Sequence, residues 1–530
     1  MTGSVSVLCA VALLTAGVSA PRLRGWFMPA TQKVYPDTVP PGAAPVGSIF
    51  AARGEYEAIQ VVLRCDADVE SLPVAVRPIL GEAGPPFGPR SIQLFEALYV
   101  PTPADRAHPV TPDPLVPLRR SGGFPRVSLK AGQTKTIWVR VKIPETAKPG
   151  TYRFYVFVGD LPDAGGAGRP SVRFSWRGRL DVTVWPFRLP ARSHVRTAFG
   201  ISGEWIALHH GVETGSTQYQ ELYRKYYETL LEHRICAYSV PYGLEDKRAE
   251  KYLRSERVNA FTVPYTEAEG ELARIWQRLC EMGVAHKAWV YPLDEPVNAE
   301  AYAALKRMAA FVHQVAPGLK VCSPFYRGPD WNQKLTPFDE LVGVLDIWCA
   351  NTGYYAMGNL AELMAARQKA GEEAWWYVCC GPGGPFCNFF VNMSALQHRL
   401  LMWQMYRYGI TGLLYWSTTW WNPSSTADPY QDIATVKDIN PNIYGDGSLF
   451  YPGAKVGIDG PVTSVRLECI RDGLEDYELL VLARRALGEA RVAHVVEQVA
   501  QDMVHYVTDA GKFEAIRRRL GSRLAALAKP

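Results

Sequence analysis

Short segments in which apolar and polar residues alternate fill the chain from residue 21 to about residue 190. Turns that contain proline and glycine separate these segments, and no helical period intervenes. Alternation with a period of two buries one face of a strand and leaves the other face in solvent. The pattern predicts an antiparallel β-sandwich over residues 21–190. The clearest strands are expected at 55–65, 135–144, 150–160 and 179–190.

The pattern changes after about residue 195, where short apolar runs alternate with longer amphipathic segments. Segments 218–234 and 394–409 have helical spacing, and Ser394 and Gly409 are suited to begin and end the second helix. The short apolar runs are typical of buried strands. Eight such runs follow one another, at 195–202, 234–243, 258–265, 287–296, 320–326, 345–355, 374–381 and 411–421.

Eight strand–helix units over this length are typical of a closed (β/α)8 TIM barrel, which we expect over residues 191–488. An open, doubly wound parallel sheet is the alternative, but the glycine-rich phosphate-binding fingerprint of that fold is absent from the sequence. Residues 489–530 are amphipathic and predict a C-terminal helical appendage. The chain is therefore expected to be multidomain, with the sandwich first, the barrel second and the helices last.

The last helix of the barrel is expected at 464–487, a segment dense in charged residues. Arg471 and Glu475 are four residues apart, which is the spacing of an ion pair on a helix. We interpret these charges as structural rather than catalytic. The long loop before this helix, about 422–462, can cover the mouth of the barrel.

The first 20 residues form an apolar run that ends in Val18-Ser19-Ala20, a small-residue cleavage pattern. The run is too short for a comfortable transmembrane span and is typical of a secretory signal peptide, although no Lys or Arg precedes it. We therefore expect a signal peptide at residues 1–20 and export to the periplasm or the extracellular space. No later segment has the pattern of a membrane span.

Composition narrows the classes of function. The chain has 530 residues, 48% of them hydrophobic, and its net charge is only +5, with Lys and Arg scattered, so a nucleic-acid partner is not expected. The 15 Trp and 27 Tyr are compatible both with sugar-binding clefts and with ordinary core packing. Ten cysteines show no zinc-ligand spacing, so no metal and no cofactor are expected. A disulfide framework is not expected either, and the oligomeric state stays open.

The fourth apolar run carries the candidate chemistry. It ends in two adjacent acids, Asp294 and Glu295, between Pro292 and Pro296. Active sites of TIM barrels lie at the carboxyl ends of the strands, and a strand that proline terminates there can turn both side chains toward the mouth. Tyr291, a few residues earlier, is expected to belong to the core.

Two carboxyl groups can cleave a glycosidic bond in more than one arrangement. In one, an acid protonates the leaving group while a second carboxylate attacks as nucleophile. In the other, the second carboxylate orients a 2-acetamido group of the substrate, which attacks its own anomeric carbon. Adjacent acids on one strand favour the second arrangement, and a strand-capping role without chemistry is the structural alternative.

Other strand ends carry polar and aromatic residues that could bind a substrate. One of the tryptophans after the eighth run is expected to form the floor of a sugar site, with packing beneath the loops as the alternative. The candidate substrate-binding residues are Tyr265, Tyr326, Asn351, Tyr354, Trp416, Trp420 and Trp421.

Several motifs together resemble one family. "YPLDEP" (291–296), "GDGSLFYPG" (445–453) and "SVRLECIRDGLEDYELL" (464–480) are similar to glycoside hydrolase family 123 and its relatives of unassigned specificity. "GEYEAIQVVL" (54–63) and "VTVWPFRLP" (182–190) are similar to the β-sandwich that precedes the barrel in that family. The likeness covers nearly the whole chain after residue 20, and the C-terminal motif is its most specific part.

The resemblance implies a retaining exo-β-N-acetylgalactosaminidase that works through an oxazoline intermediate. Asp294 would orient the acetamido group, and Glu295 would be the general acid and then the base. The expected substrate is terminal β-linked N-acetylgalactosamine on a glycan of the glycosphingolipid type. The alternatives are a glycosidase of another sugar specificity with Asp294 as direct nucleophile, and a non-catalytic glycan-binding scaffold.

Overall fold

The computed structural model describes residues 22–40, 46–79, 87–88, 91–159, 175–326, 336–356, 358–421 and 427–528. The signal peptide expected at residues 1–20 lies outside these ranges, and export stays a prediction. Among the described helices none combines the length and the apolar character needed to cross a bilayer.

Two β-sheets form the N-terminal part of the described chain, and a cluster of apolar side chains lies between them. The first has the spatial order β1-β3-β9-β5-β6-β20-β19, with strands numbered along the chain. Its bounds are β1 Leu23–Pro29, β3 Tyr56–Cys65, β9 Thr134–Lys142, β5 Ile92–Pro101, β6 Val110–Pro117, β20 Pro461–Ser464 and β19 Tyr451–Pro452.

The second sheet has the order β2-β11-β10-β4-β8-β7. Its bounds are β2 Val46–Arg53, β11 Ser175–Arg188, β10 Gly150–Gly159, β4 Val69–Pro78, β8 Phe124–Leu129 and β7 Arg120–Ser121. The prediction of antiparallel sheets is confirmed with one difference: β2 pairs with β11 in parallel. Alternation along a strand fixes which face is buried but not the direction of its neighbour, so the sequence could not reveal this pair.

A third sheet is parallel and nearly closes into a barrel, with the order β12-β18-β17-β16-β15-β14-β13. Its bounds are β12 Arg196–Phe199, β13 Phe261–Val263, β14 Ala288–Val290, β15 Lys320–Phe325, β16 Ile347–Asn351, β17 Glu373–Val378 and β18 Gly412–Tyr415. Seven of the eight expected runs thus form strands within the described residues.

The run at 234–243, expected as the second strand, forms only an isolated bridge between Phe199 and Ala237. The Tyr238 N–H donates to the Phe199 carbonyl at 3.0 Å, and the Thr262 N–H donates to the Tyr238 carbonyl at 2.7 Å. The run therefore lies between β12 and β13. In this run the Cys236 N–H donates to a side chain, the Thr197 hydroxyl, at 2.7 Å. The structure shows a nearly closed seven-stranded barrel where the sequence predicted eight strands.

Helices follow most barrel strands and also form the C-terminal end of the chain. Ser394 accepts a hydrogen bond from the Gln397 N–H and begins α8 as expected, and Gly409 with φ +67° follows its end. The described helices are α1 Gly203–His210, α2 Thr217–Glu232, α3 Glu250–Leu253, α4 Glu269–Glu281, α5 Ala299–Val315, α6 Pro337–Glu340, α7 Leu360–Lys369, α8 Ala395–Arg407, α9 Val465–Leu487, α10 Glu489–Val499 and α11 Ala510–Leu527. Short 3-10 helices lie at Lys247–Ala249, Ala285–Lys287, Thr352–Ala356 and Gly453–Val456.

Helix α9 is almost completely buried despite its charges, because each charge has a partner. Arg471 lies 2.7 Å from Glu468 and 3.9 Å from Glu475, so the charges are structural as expected. Asp476 accepts from the Arg399 Nε of α8 at 2.7 Å. Together with β20, which pairs with β6, the helix links the barrel to the first sheet. The domain limits at residues 190 and 488 stay predictions.

Candidate active site

The two adjacent acids, hereafter the acid pair, follow β14 at the carboxyl end of the parallel sheet. All three residues of β14 are buried, whereas Asp294 is exposed and Glu295 is partly buried. A hydrophobic strand thus delivers both carboxylates from the core to the edge of the sheet. This is the end at which barrel enzymes place their chemistry.

The backbone of Glu295 has φ +41°, in the left-handed region that side chains other than glycine rarely adopt. Such a conformation persists only where surrounding contacts enforce it, and it occurs often at functional sites. It breaks the alternation that would send two consecutive side chains to opposite faces. The pKa of Tyr326, directly after β15, is raised by burial and further by the charges of Glu295 and Asp294.

A tyrosine hydroxyl holds each member of the acid pair. Tyr291 donates to Asp294 Oδ1, and Tyr377 of β17 donates to Glu295 Oε1. The ring of Tyr291 also stacks on Trp289 inside the barrel, with centroids 6.1 Å apart. The expectation that Tyr291 belongs to the core is therefore incomplete, since its ring packs there while its hydroxyl donates to Asp294.

The two acids have different environments. Burial raises the pKa of Glu295; the hydrogen bond from Tyr377 opposes that shift and the charge of Asp294 adds to it. A carboxyl group with a raised pKa can carry a proton near neutral pH and can therefore serve as a general acid. Asp294 is exposed and has the Tyr291 hydroxyl as its donor. Unequal environments of this kind allow two neighbouring carboxyl groups to have separate roles.

Two thiols line the same end of the barrel after β17. The Cys379 thiol lowers the pKa of Cys380, while burial and the charges of Asp446 and Glu295 oppose that shift. Asp446, in the segment before β19, is hydrogen-bonded to Tyr415 and Trp416 at the carboxyl end of β18, and so lies at the same end of the parallel sheet as the acid pair. Within the described ranges, no group of three or more His, Cys, Asp or Glu side chains could hold a metal ion.

The three candidate tryptophans after β18 have different positions. Trp416 and Trp420 are partly buried, with ring centroids 5.2 Å apart, and Trp205 of α1 meets Trp420 edge to face at 5.4 Å. Trp421 is fully buried and donates from Nε1 to the Phe450 carbonyl at 2.9 Å. The structure thus places Trp416 and Trp420 together near the barrel mouth and Trp421 in the core.

The remaining four candidate substrate-binding residues do not lie together. Tyr326 directly follows β15, the strand next to β14, and packs like Tyr291 against the cluster inside the barrel. Asn351 is partly buried and bonds to the backbone, accepting from the Gly353 N–H at 3.0 Å. Tyr354 is buried at 6% exposure, and its ring packs edge to face against Phe325 outside the barrel interior. The Tyr265 hydroxyl lies 3.4 Å from Glu267. The structure does not bring Tyr354 or Tyr265 into any described contact with the acid pair.

Two residues of the site were missed by the sequence analysis. Tyr377 is the last inward-facing residue of β17 before the thiols, and a tyrosine in an otherwise apolar strand was the signal available. Asp446 lies in the "GDG" motif, which the sequence analysis noted but to which it assigned no role. Neither contact could be deduced locally, because Tyr377 meets Glu295 across 82 residues of chain.

Comparisons with known proteins bear on this geometry. A family model described as "Glycoside hydrolase 123, catalytic domain" matches residues 203–483, more than half of the chain and including the acid pair. No curated protein matches the chain. The fold is similar to that of a family 123 glycoside hydrolase from Clostridium perfringens, described for glycolipid glycan hydrolysis. That match has a TM-score of 0.66 at 12% identity and covers 95% of this chain and 97% of the other.

A β-glucuronidase from Bifidobacterium dentium, solved with coumarin-3-O-glucuronide, is much less similar. Its TM-score is 0.29 at 9% identity, and the match covers 79% of this chain and 63% of that one. A likeness this weak carries no argument about fold or activity.

Proposed function

The chain belongs to glycoside hydrolase family 123, and we propose that it removes terminal β-linked N-acetylgalactosamine by substrate-assisted catalysis through an oxazoline intermediate. The observation that carries the proposal is the acid pair itself: two consecutive carboxylates at one strand end, held by different tyrosines in different environments. The glycolipid glycan activity of the Clostridium perfringens enzyme supports a glycan substrate of the glycosphingolipid type.

The first step of the proposed reaction breaks the glycosidic bond. Glu295, whose pKa is raised by burial, donates a proton to the glycosidic oxygen. The carbonyl oxygen of the 2-acetamido group attacks the anomeric carbon from the opposite face, and the alcohol departs. Asp294 accepts the hydrogen bond of the acetamido N–H and stabilises the positive charge that develops on the oxazolinium ring.

The second step restores the enzyme. Glu295, now a carboxylate, takes a proton from a water molecule that attacks the anomeric carbon from the face the alcohol left. The bond to the acetamido oxygen breaks, and N-acetylgalactosamine is released with its configuration retained. Two inversions at one carbon give net retention, as in the other substrate-assisted glycosidases.

An aryl glycoside panel tests the proposal. We expect hydrolysis of 4-methoxyphenyl 2-acetamido-2-deoxy-β-D-galactopyranoside, weaker hydrolysis of the gluco epimer, and none of the β-galactoside that lacks the acetamido group. A thiazoline mimic of the intermediate should inhibit competitively. Cleavage of the plain galactoside at a comparable rate would favour the alternative in which Asp294 attacks directly.

Substitution of the general acid gives the second test. Glu295→Gln should lower kcat by about 10²- to 10⁴-fold, the range typical of a lost general acid. Glu300→Gln is the matched control, because Glu300 is exposed five residues further along the chain in the first turn of α5. Equal activity of the two variants would contradict the assignment of Glu295.

A further inference from the structure

Asp446 is a buried carboxylate outside the acid pair, and its contacts are with the end of β18. It is 1% exposed. The indole Nε1 of Trp416 lies 3.2 Å from both of its oxygens, and the hydroxyl of Tyr415 donates to one of them at 3.1 Å. Burying a carboxylate costs free energy unless donors surround it, so these donors are what allow Asp446 to stay there.

Gly447, the next residue, lies directly against the Trp416 ring. A Cβ at this position would be 2.2 Å from Cζ2 of Trp416, and the backbone has φ +70°, so only glycine fits. The Gly447 N–H donates to the Tyr415 hydroxyl at 2.8 Å, and its carbonyl accepts from the Trp420 N–H at 2.8 Å. The ring of Trp416 is thus fixed at its edge by Asp446 and supported by the backbone of Gly447.

An arginine from α9 fixes this segment in turn. Arg466 is fully buried; its Nη1 donates to the Gly445 carbonyl at 2.7 Å, and it also donates to the Ser448 carbonyl. Its Nη2 lies 2.8 Å from Asp113 of β6. The two carbonyls lie on either side of Asp446 and Gly447 in the chain. Arg466 therefore connects the segment that contacts Trp416 to α9 and, through Asp113, to the first sheet.

The position of Trp416 in the barrel indicates the role of its contacts with Asp446 and Gly447. Leu414 of β18 belongs to the cluster inside the barrel and Tyr415 to the cluster outside it. Trp416 follows where the strand ends and is only partly buried. β14 and β18 are strands of one parallel sheet, and the acid pair and Trp416 both follow the carboxyl ends of these strands, so this tryptophan and the acid pair share one end of the barrel.

We propose that Asp446 is a positioning residue that, with Gly447, fixes the indole of Trp416 as a platform on which the sugar ring of the glycoside lies beside the acid pair. The proposal rests on the proposed function for the identity of the sugar. A fixed aromatic face reduces the entropy lost when the sugar binds, so it contributes mainly to affinity. Asp446 does not touch the reacting atoms.

Fluorine NMR of protein labelled with fluorotryptophan tests the positioning without requiring catalysis. The Trp416 resonance is assigned as the one lost in Trp416→Phe. In Asp446→Ala we expect that resonance to shift or broaden, while Trp138, buried in the first sheet, keeps its signal. Asp446→Asn, whose amide oxygen can still accept from the indole, should give a smaller change. Asp438→Asn, an exposed position in the same segment, is the control and should leave the spectrum unchanged.

Steady-state kinetics with the N-acetylgalactosaminide supply the second readout. We expect Asp446→Ala to raise KM about tenfold with a smaller change in kcat, since losing a charged hydrogen-bond acceptor has an effect of this order. A Trp416 resonance unchanged in Asp446→Ala overturns the inference, whatever the substrate. So does an unchanged KM in folded Asp446→Ala, because the support of Trp416 then contributes nothing to affinity.

The two proposals can fail separately. Adding N-acetylgalactosamine to the wild type should move the Trp416 resonance. If only a different sugar moves it, and Asp446→Ala still shifts it, the positioning is supported while the sugar assignment of the proposed function is overturned.

Discussion

The hydrogen bond from Tyr377 to Glu295 can be removed with little change in packing. Its removal should change the pKa of Glu295, and therefore the pH dependence of activity, in a direction that follows from the structure. Tyr377 is 4% exposed, and its ring packs in the barrel interior, so Tyr377→Phe keeps the packing and loses only the hydroxyl. A donor to a carboxylate stabilises the ionised form. Its loss should therefore raise the already elevated pKa of Glu295 further.

The size of the shift follows from the strength of the bond. A hydrogen bond to a charged group contributes about 1.5–3 kcal/mol, and one pKa unit corresponds to about 1.4 kcal/mol. These values give a range of about one to two units. Because Glu295 is only partly buried, water replaces part of the lost bond, and we expect a shift of about one unit.

The assay is the pH dependence of kcat/KM for hydrolysis of 4-methoxyphenyl 2-acetamido-2-deoxy-β-D-galactopyranoside, whose poor leaving group requires the acid. In the proposed mechanism activity needs protonated Glu295 in the free enzyme, so it falls as pH rises through the pKa of Glu295. In Tyr377→Phe this alkaline limb should move to higher pH. Tyr155→Phe makes the same chemical change on β10 of the second sheet, and its profile should match that of the wild type.

Two outcomes would refute the reasoning. An alkaline limb that stays in place means that the Tyr377 hydroxyl does not tune Glu295. A limb that moves to lower pH means that the hydroxyl stabilises the protonated form, which contradicts the direction of the hydrogen bond.

Four further substitutions separate effects on stability from effects on catalysis. Asp476→Ala leaves the buried Arg399 without its main partner and should lower the free energy of unfolding by about 3–5 kcal/mol in urea titration. Asp68→Ala, which breaks an exposed ion pair, should leave the unfolding midpoint almost unchanged, and equal effects of the two would contradict this account. Trp421→Ala should cost about 3–5 kcal/mol of stability with an unchanged KM, and a raised KM in the fully folded variant would place Trp421 in the site after all. Tyr291→Phe should lower kcat about tenfold at constant stability, because Asp294, to which we assign the orientation of the acetamido group, loses its donor; a wild-type kcat would show that this bond is not needed.

The local elements of this protein could be predicted because their signals lie close together in the sequence. Ser394 begins α8 because its own side chain caps the Gln397 N–H three residues later. Strands such as β10 and β11 follow period-two alternation, and seven of the eight apolar runs form barrel strands within the described residues. The exception is 234–243, in which the Cys236 N–H donates to the Thr197 side chain, a contact distant in the chain that no hydrophobic pattern reveals.

The acid pair was also accessible from the sequence, since two carboxylates at the end of a buried strand have few structural uses. The side-chain contacts around the acid pair could not be predicted from the sequence. Tyr377 approaches Glu295, and Asp446 approaches Trp416, only after β14, β17 and β18 have assembled side by side. The sequence does not distinguish Trp416 from Trp421, yet Trp416 lies near the barrel mouth and Trp421 lies in the core.

The amino-acid sequence by itself determined where strands and helices form and which two acids stand at a strand end, because periodicity, capping and chain breaks act over a few residues. The tertiary structure alone decided which tyrosine donates to which carboxylate, which tryptophan is supported by a glycine, and how α9 keeps its charges buried. Those contacts depend on distances between segments far apart in the chain, and such distances are fixed only when the whole core packs.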